Sequence, residues 1–361
     1  MSPKDALYRL SEAENLIRTY GGVVLVKKIQ KKQVPNYKTY IGSGKIDEII
    51  EENRGLGANI IIVNNELKPR QTYNIGELVR GHGLTVWDRI DLILKIFQKH
   101  ATTKEARLEI ELAGIRHMGP RIFGMGMELS RQAGGIGTRG VGETNIEFMR
   151  RHLKKMEEAI VKDLEKCKKV RELHRAGRRR RHLKTVGIIG YTNAGKTSLL
   201  NALTHKGALA ADKLFSTLDT RVGKIYFENT GQQILVSDTI GFIQDLPTTL
   251  INSFRSTLEE TIRADLLLHV IDISNPKMTD NIKTVRTILA QIDALAKPTI
   301  YVFNKIDLAR SEEKSTVCKP GVNKSKSVLL KKYNKFSPCF VSASTGEGIP
   351  ELKNLIQQTI G

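Results

Sequence analysis

GYTNAGKT, residues 190–197, follows the apolar run TVGII and leads directly into SLLNALT, residues 198–204. Strand, glycine-rich loop and helix in that order are the setting a phosphate-binding loop requires. Glycines let successive backbone amides wrap phosphate oxygens at the positive end of the following helix. Lys196 can neutralise β and γ oxygens, and the Thr197 hydroxyl can ligate magnesium. Gly190, Tyr191, Thr192, Asn193, Ala194, Gly195, Lys196, Thr197 and Ser198 are therefore read as a nucleotide-binding segment. A plain strand-to-helix turn is the bland alternative, and the full G-x4-G-K-T spacing weighs against it.

Downstream of this loop, strand-like runs at 222–227, 234–236, 266–271, 299–303 and 339–341 alternate with helical stretches. With the strand at 186–189 they predict a mainly parallel, doubly wound α/β sheet of the Ras-like P-loop type. Three short motifs sit where its strands end. In DTIG, Asp238 can hold magnesium through water and the Gly241 amide can reach a γ-phosphate, with Thr239 and Ile240 between them. In NKID, formed by Asn304, Lys305, Ile306 and Asp307, the carboxylate can accept from both donors on the guanine edge, a pattern adenine lacks. Such a pair discriminates by about 10⁴ or more, because the wrong base leaves a buried acid unpaired. SAS, formed by Ser342, Ala343 and Ser344, supplies a backbone amide for the guanine oxygen. GTP is thus the expected nucleotide, with magnesium as its cofactor.

Upstream, residues 1–87 alternate helix-like and strand-like stretches, with strands expected at 23–26 and 59–63, and read as a small α/β domain. Residues 88–182 read as a helical hairpin arm. Ile93, Phe97, Leu108, Leu112 and Ile115 keep helical spacing up to an expected break around Gly119 and Pro120. Met149, Leu153, Met156, Ile160, Leu164 and Cys167 then step by three and four along a second helix. Residues 183–361 form the nucleotide-binding domain, with a lysine-rich irregular insertion at about 310–336 expected as a surface loop.

Between the arm helices lies GGIGTRGVGE, residues 134–143, almost devoid of side chains that could join a core. A bare tip loop can press its amides against phosphates and bases in a narrow RNA cleft. Gly134, Gly135, Gly137, Gly140 and Gly142, with Arg131 and Arg139 for charge and stacking, are the candidate contacts. A simple hinge is the other reading. Arg178, Arg179, Arg180 and Arg181 close the second helix and are candidate phosphate contacts, or else a solvated charge run. GSGK at 42–45 lacks the first glycine and the hydroxyl of a full P-loop, and reads as a helix start or an RNA contact.

The balance of charge agrees: 58 Lys and Arg against 38 Asp and Glu leave a formal +20, which favours nucleic acid over an anionic membrane as partner. No apolar run approaches the roughly 20 residues of a bilayer crossing. MSPKDALYRL lacks the apolar core of a secretory leader, so the cytoplasm is the expected location. Cys167, Cys318 and Cys339 are odd in number and widely spaced, and the histidines form no HExxH, which excludes a disulfide frame or zinc site from the expectations.

YIGSGKIDEI, WDRIDLILKIF, ELSRQAGGIGTRGVGET, GYTNAGKTSLLNALT, LFSTLD, DTIGFIQDLP and STLEETIRADLLLHVID together resemble the HflX family of translation-associated GTPases across nearly the whole chain. The resemblance implies a switch I segment at Phe215, Ser216, Thr217, Leu218 and Asp219, with Thr217 as a magnesium ligand in the GTP state. It implies catalysis through Lys196, Thr217 and Gly241, and an apolar Phe242 where Ras-like proteins carry a water-orienting glutamine. Phe242 can equally be an ordinary packing residue. The run LDTRVG departs from the proline and threonines usual after switch I, and the family's first strand has no counterpart here, so the small α/β domain is expected to be trimmed or divergent. The arm is implied to enter the large (50S) ribosomal subunit near its rRNA, and the outcome to be dissociation of stalled or idle ribosomes by a monomer. Two other readings stand beside it: an ATP-dependent RNA remodeller acting through the N-terminal domain, and a non-catalytic GTP-gated assembly scaffold.

Overall fold

The computed structural model of the chain describes residues 3–132, 141–180, 183–204, 221–228, 230–238, 241–243, 250, 255–308 and 326–360, with the backbone alone for 120, 122–132, 141–146, 178–179, 255–257 and 260. It divides into two compact units, one of residues 1–99 and 107–167, the other of residues 100–106 and 168–361.

In the first unit, α1 (Pro3–Tyr20), α2 (Ser43–Leu56) and α3 (Pro69–Arg80) accompany the parallel pair β1 (Ile60–Val63) and β2 (Thr85–Asp88). Ile46, Ile50, Val63, Leu67, Ile75, Val79 and Leu84 make its core. α4 (Arg89–His100) begins with a reciprocal cap: the Asp91 amide donates to Asp88 Oδ1 at 2.8 Å and the Asp88 amide to Asp91 Oδ2 at 3.0 Å. Arg89 binds α4 to the rest through Glu12 at 2.8 Å and Asn64 at 2.6 Å, so α4 stands with the α/β region in its contacts. The long helices α5 (Lys104–Gln132) and α6 (Val141–Arg180) share an apolar seam of Leu112, Ile115 and Ile160, flanked by Leu108, Leu153, Met156 and Leu164.

Two expectations for the chain upstream of the phosphate-binding loop are corrected. The helical break falls at 101–103, where the Thr103 hydroxyl caps α5 by accepting from the Ala106 amide at 3.2 Å. α5 instead runs unbroken through Gly119 and Pro120. A proline removes one hydrogen bond of the ladder. Just beyond it Arg121 anchors α5 through Asp88 at 2.6 Å and Asp91 at 2.7 Å. Residues 23–26 form no strand: no described neighbour pairs with them, and Val23 is 82% exposed.

The second unit carries a six-stranded sheet in the order β4 (Arg221–Phe227), β5 (Gln232–Asp238), β3 (Lys184–Gly190), β6 (Leu266–Asp272), β7 (Thr299–Asn304) and β8 (Cys339–Phe340). Only β4 with β5 is antiparallel. The mostly apolar and buried inner strands match the doubly wound sheet expected from the sequence. α7 (Lys196–Thr204) and α11 (Ile349–Ile360) complete one core with Val186, Ile188, Leu200 and Ile356. α9 (Met278–Gln291) and α10 (Lys326–Tyr333) cover the other, around Tyr301 and Phe303. α10 corrects the reading of 310–336 as loop in its second half. Leu329 and Tyr333 are buried against Phe303, and Phe336 stacks on Tyr301 at 4.2 Å, so apolar anchoring outweighs the surrounding lysines. Residues 309–325 lie outside the described residues. α8 (Arg255–Arg263) precedes β6. Residue pairings Ile188 with Asp238 and Asp272 with Asn304 bring the carboxyl ends of four strands to one edge, where open α/β sheets place ligands.

Candidate nucleotide-binding site

The loop after β3 is fastened before any ligand is considered. The Phe242 amide donates to Gly190 O at 3.0 Å and the Thr192 amide to Phe242 O at 2.7 Å, forming a parallel bridge between Tyr191 and Phe242. The Phe242 ring is fully buried, so this position contributes backbone and packing and brings no side-chain amide to the site. Gly195 has φ +88, and a Cβ there would collide with the Asn304 amide nitrogen, which makes glycine the residue that fits. Asn193 also takes a left-handed φ of 61, Ala194 is buried and Ser198 lies in the first turn of α7.

Lys196 is buried, and its Nζ donates to Tyr191 O at 2.9 Å. Burial pushes this ammonium down to about 8, with the Lys305 charge adding to the shift and Asp238 opposing it. A site that strains a cation in this way gains from an arriving polyphosphate, which restores the preference for the charged form. Thr197 Oγ1 donates to Asp238 Oδ2 at 2.7 Å, both side chains being buried. A hydroxyl and a carboxylate held together at a helix start are the hard-oxygen donors that magnesium takes while keeping most of its water. A Cβ at Gly241 would crowd Lys196 Nζ and Thr192, so that backbone lies against the lysine head.

At the far end of the same edge, Asn304 braces two loops. Its Nδ2 donates to Ala194 O at 2.9 Å and its Oδ1 accepts from the Ala343 amide at 3.0 Å. Of the 342–344 amides read from the sequence as a source for the guanine oxygen, that of Ala343 is engaged by Asn304 here. Ser342 and Ser344 join through their hydroxyls at 2.9 Å, and Ser342 Oγ accepts from the Thr345 amide, which stiffens this loop. Lys305, at φ +67, pairs with Asp272 at 2.8 Å; Ile306 is buried. Asp307 Oδ1 is buried and has no hydrogen-bond partner among the described residues, the condition of an acceptor awaiting donors.

The structure therefore gathers Gly190, Lys196, Thr197, Asp238, Gly241, Asn304, Asp307 and Ser342 along one sheet edge. Phe215, Ser216, Thr217, Leu218, Asp219, Thr239 and Ile240 lie outside the described residues, as do Gly134, Gly135, Gly137, Arg139, Gly140 and Arg181. Arg131, Arg178 and Arg179 are helical with only their backbone described, Gly142 falls in the first turn of α6, and Arg180 is exposed at its end. Sequence reasoning missed the Asn304 brace, the Asp272 partner of Lys305, and a clamp in which Arg171 and Arg175 hold Glu259 of α8 at 2.8 and 3.0 Å. Asp272 ends its strand as Asp238 ends β5, a parallel that could have marked it.

The fold and the edge residues together define a P-loop GTPase. Models of three successive regions match the chain: a GTP-binding GTPase N-terminal region at 8–98, a GTP-binding GTPase middle region at 100–178, and a 50S ribosome-binding GTPase at 185–305. It is 44% identical to GTPase HflX of Caldanaerobacter subterraneus over 85% of this chain and 71% of that protein. It is 39% identical to GTPase HflX of Escherichia coli over 95% of this chain and 77% of that protein. A GTP-binding protein of Sulfolobus solfataricus, solved in complex with GDP, matches with a TM-score of 0.52 at 27% identity, covering 97% of this chain and 94% of that one. The chain belongs to the HflX family of GTPases and hydrolyses GTP.

Proposed function

We propose that this GTPase works with Mg²⁺ as a monomer in the cytoplasm, binds the large (50S) ribosomal subunit through its rRNA, and dissociates stalled or idle ribosomes. The observation that carries the nucleotide half is the buried Asp307 Oδ1, without a hydrogen-bond partner among the described residues, at the same edge as Lys196 and the Thr197–Asp238 pair. Thr197, Asp238 and, from the family resemblance, Thr217 would hold the metal, which supplies charge neutralisation at the phosphates. Lys196 and the 190–198 amides would bind phosphate, and Asn304, Asp307 and the 342–344 loop would select guanine. The ribosomal half is supported by the family model's description and by a net charge of +20. No described helix is long and apolar enough to cross a membrane.

The Glu259 clamp suggests how nucleotide state would reach the arm. α8 follows DTIG in the chain, and Arg171 and Arg175 belong to α6, whose earlier turns carry the hairpin seam. Ordering of the switch segments by a γ-phosphate would bias α8 and, through Glu259, the base of α6. The glycines at 134–142 and the arginines at 131, 139 and 178–181 would then meet rRNA. Sedimentation with purified large subunits tests this: binding should be stronger with a GTP analogue than with GDP and weaken steeply with salt. Equal sedimentation in both states would remove the ribosomal half.

A further inference from the structure

Phe148 is 66% exposed on α6, an unusual placement for so large an apolar ring. One helical turn on, the His152 ring lies parallel to it, with an interplanar angle of 8° and centroids 6.5 Å apart. Spacings of three and four place Arg151 and Lys155 on the same face. Both are exposed, and neither is paired with an acid among the described residues. Lys154 lies to one side and reaches Glu158 only at 3.9 Å. The seam residues Leu153, Met156 and Ile160 point to a different side of the helix, so packing against α5 does not account for the aromatic pair.

Parallel exposed rings interleaved with unpaired cations match the chemistry of unpaired RNA. Bases stack on flat rings whatever their sequence, while phosphates three to four residues along the face meet the cations. An acidic protein surface would use the charges and leave the rings idle. We propose that Phe148 and His152 form a base-stacking platform on α6 for an unpaired RNA segment, with Arg151 and Lys155 receiving its phosphates. This deepens the reading of the arm as an rRNA-binding element and rests on it.

The test uses the full chain loaded with a GTP analogue and a fluorescent single-stranded RNA of about a dozen nucleotides, a duplex of the same sequence, and polyglutamate as competitor. Phe148→Ala should weaken single-strand binding roughly ten-fold, Phe148→Trp should restore it, and duplex binding should stay unchanged. Arg151→Ala with Lys155→Ala should lower the log–log salt slope for single strands by about 1.4. Single-strand binding indifferent to Phe148→Ala, equal losses on duplex and single strand, or competition by polyglutamate with the rings dispensable would each overturn the platform. Trp87 fluorescence in urea reports on folding of the first unit, which carries Phe148, and GTP affinity on that of the second. Sedimentation with large subunits is read in parallel: subunit binding that persists while Phe148→Ala leaves single-strand binding unchanged sinks only the platform, whereas loss of GTP dependence in the unaltered chain sinks the ribosomal reading itself.

Discussion

Asp307 shows how one carboxylate can decide a substrate. Its Oδ1 is buried without a partner among the described residues, a cost that guanine's two donors would offset and that adenine or inosine would not fully offset. Asp307→Asn should lower GTP affinity by about 10²-fold or more while improving xanthosine triphosphate, whose C2 carbonyl accepts from the new amide. Fluorescent-nucleotide titration measures both, and unchanged GTP affinity would refute the role. Two histidines pull pH dependence in opposite directions. Burial, with Arg286 and Lys196 adding, pulls His269 down to about 3. The unfolded chain takes up a proton near pH 6.5 that the folded unit refuses, so stability falls as pH drops below about 6.5. Burial also lowers His117, but the carboxylates of Asp88 and Asp91, 3.4 and 3.3 Å from its Nε2, outweigh it and raise its pKa overall. Its stabilisation is complete below the unfolded value and is lost as pH rises through the raised folded value. Trp87, the chain's single tryptophan, reports on the first unit. His117→Gln should flatten the decline of that unit's stability as pH rises above about 6.5, and His269→Gln should flatten the acid decline of the other, both in urea titrations.

At the scale of elements, the clamp between α6 and α8 is the contact most open to dissection. Arg171 reaches both Glu105 at 3.0 Å and Glu259, and Arg175 adds a second hold on Glu259, whose carboxyl stays below its usual range. The burial of Glu259 acts against ionisation, and the Arg171 charge and the Arg175 hydrogen bond overcome it. With side chains 12–20% exposed, the pair lies between a surface bridge and a fully buried one. Glu259→Gln should therefore cost about 1–2 kcal/mol, and a double-mutant cycle with Arg175→Ala should show coupling. Additive losses in that cycle would mean that the two helices are held by packing instead.

For the whole molecule, catalysis and partner binding are expected to be linked. The position after Gly241 carries a buried phenyl ring, so no side-chain amide there orients water. Turnover of the isolated chain should be slow and should rise at least about ten-fold on purified large subunits, as when a partner completes a phosphoryl-transfer site. Phosphate release at saturating GTP, with and without subunits, measures the ratio, and comparable rates would contradict the expectation.

The chain's local patterns determined the class of the sheet, the order of the nucleotide motifs and the cationic character, because each is written in neighbouring residues: a glycine spacing, an apolar run, a charge count. GYTNAGKT, DTIG and NKID each announce a strand end without any knowledge of what lies beside it. Tertiary structure alone decided that Asn304 ties Ala194 to Ala343, that Phe242 fastens Gly190 and Thr192, and that Glu259 meets two arginines more than eighty residues upstream. It also decided that α5 passes through Pro120, held by Arg121, and that Leu329 draws a lysine-rich segment into a helix. Those outcomes depend on partners distant along the chain, whose pairing energies no short window of sequence contains.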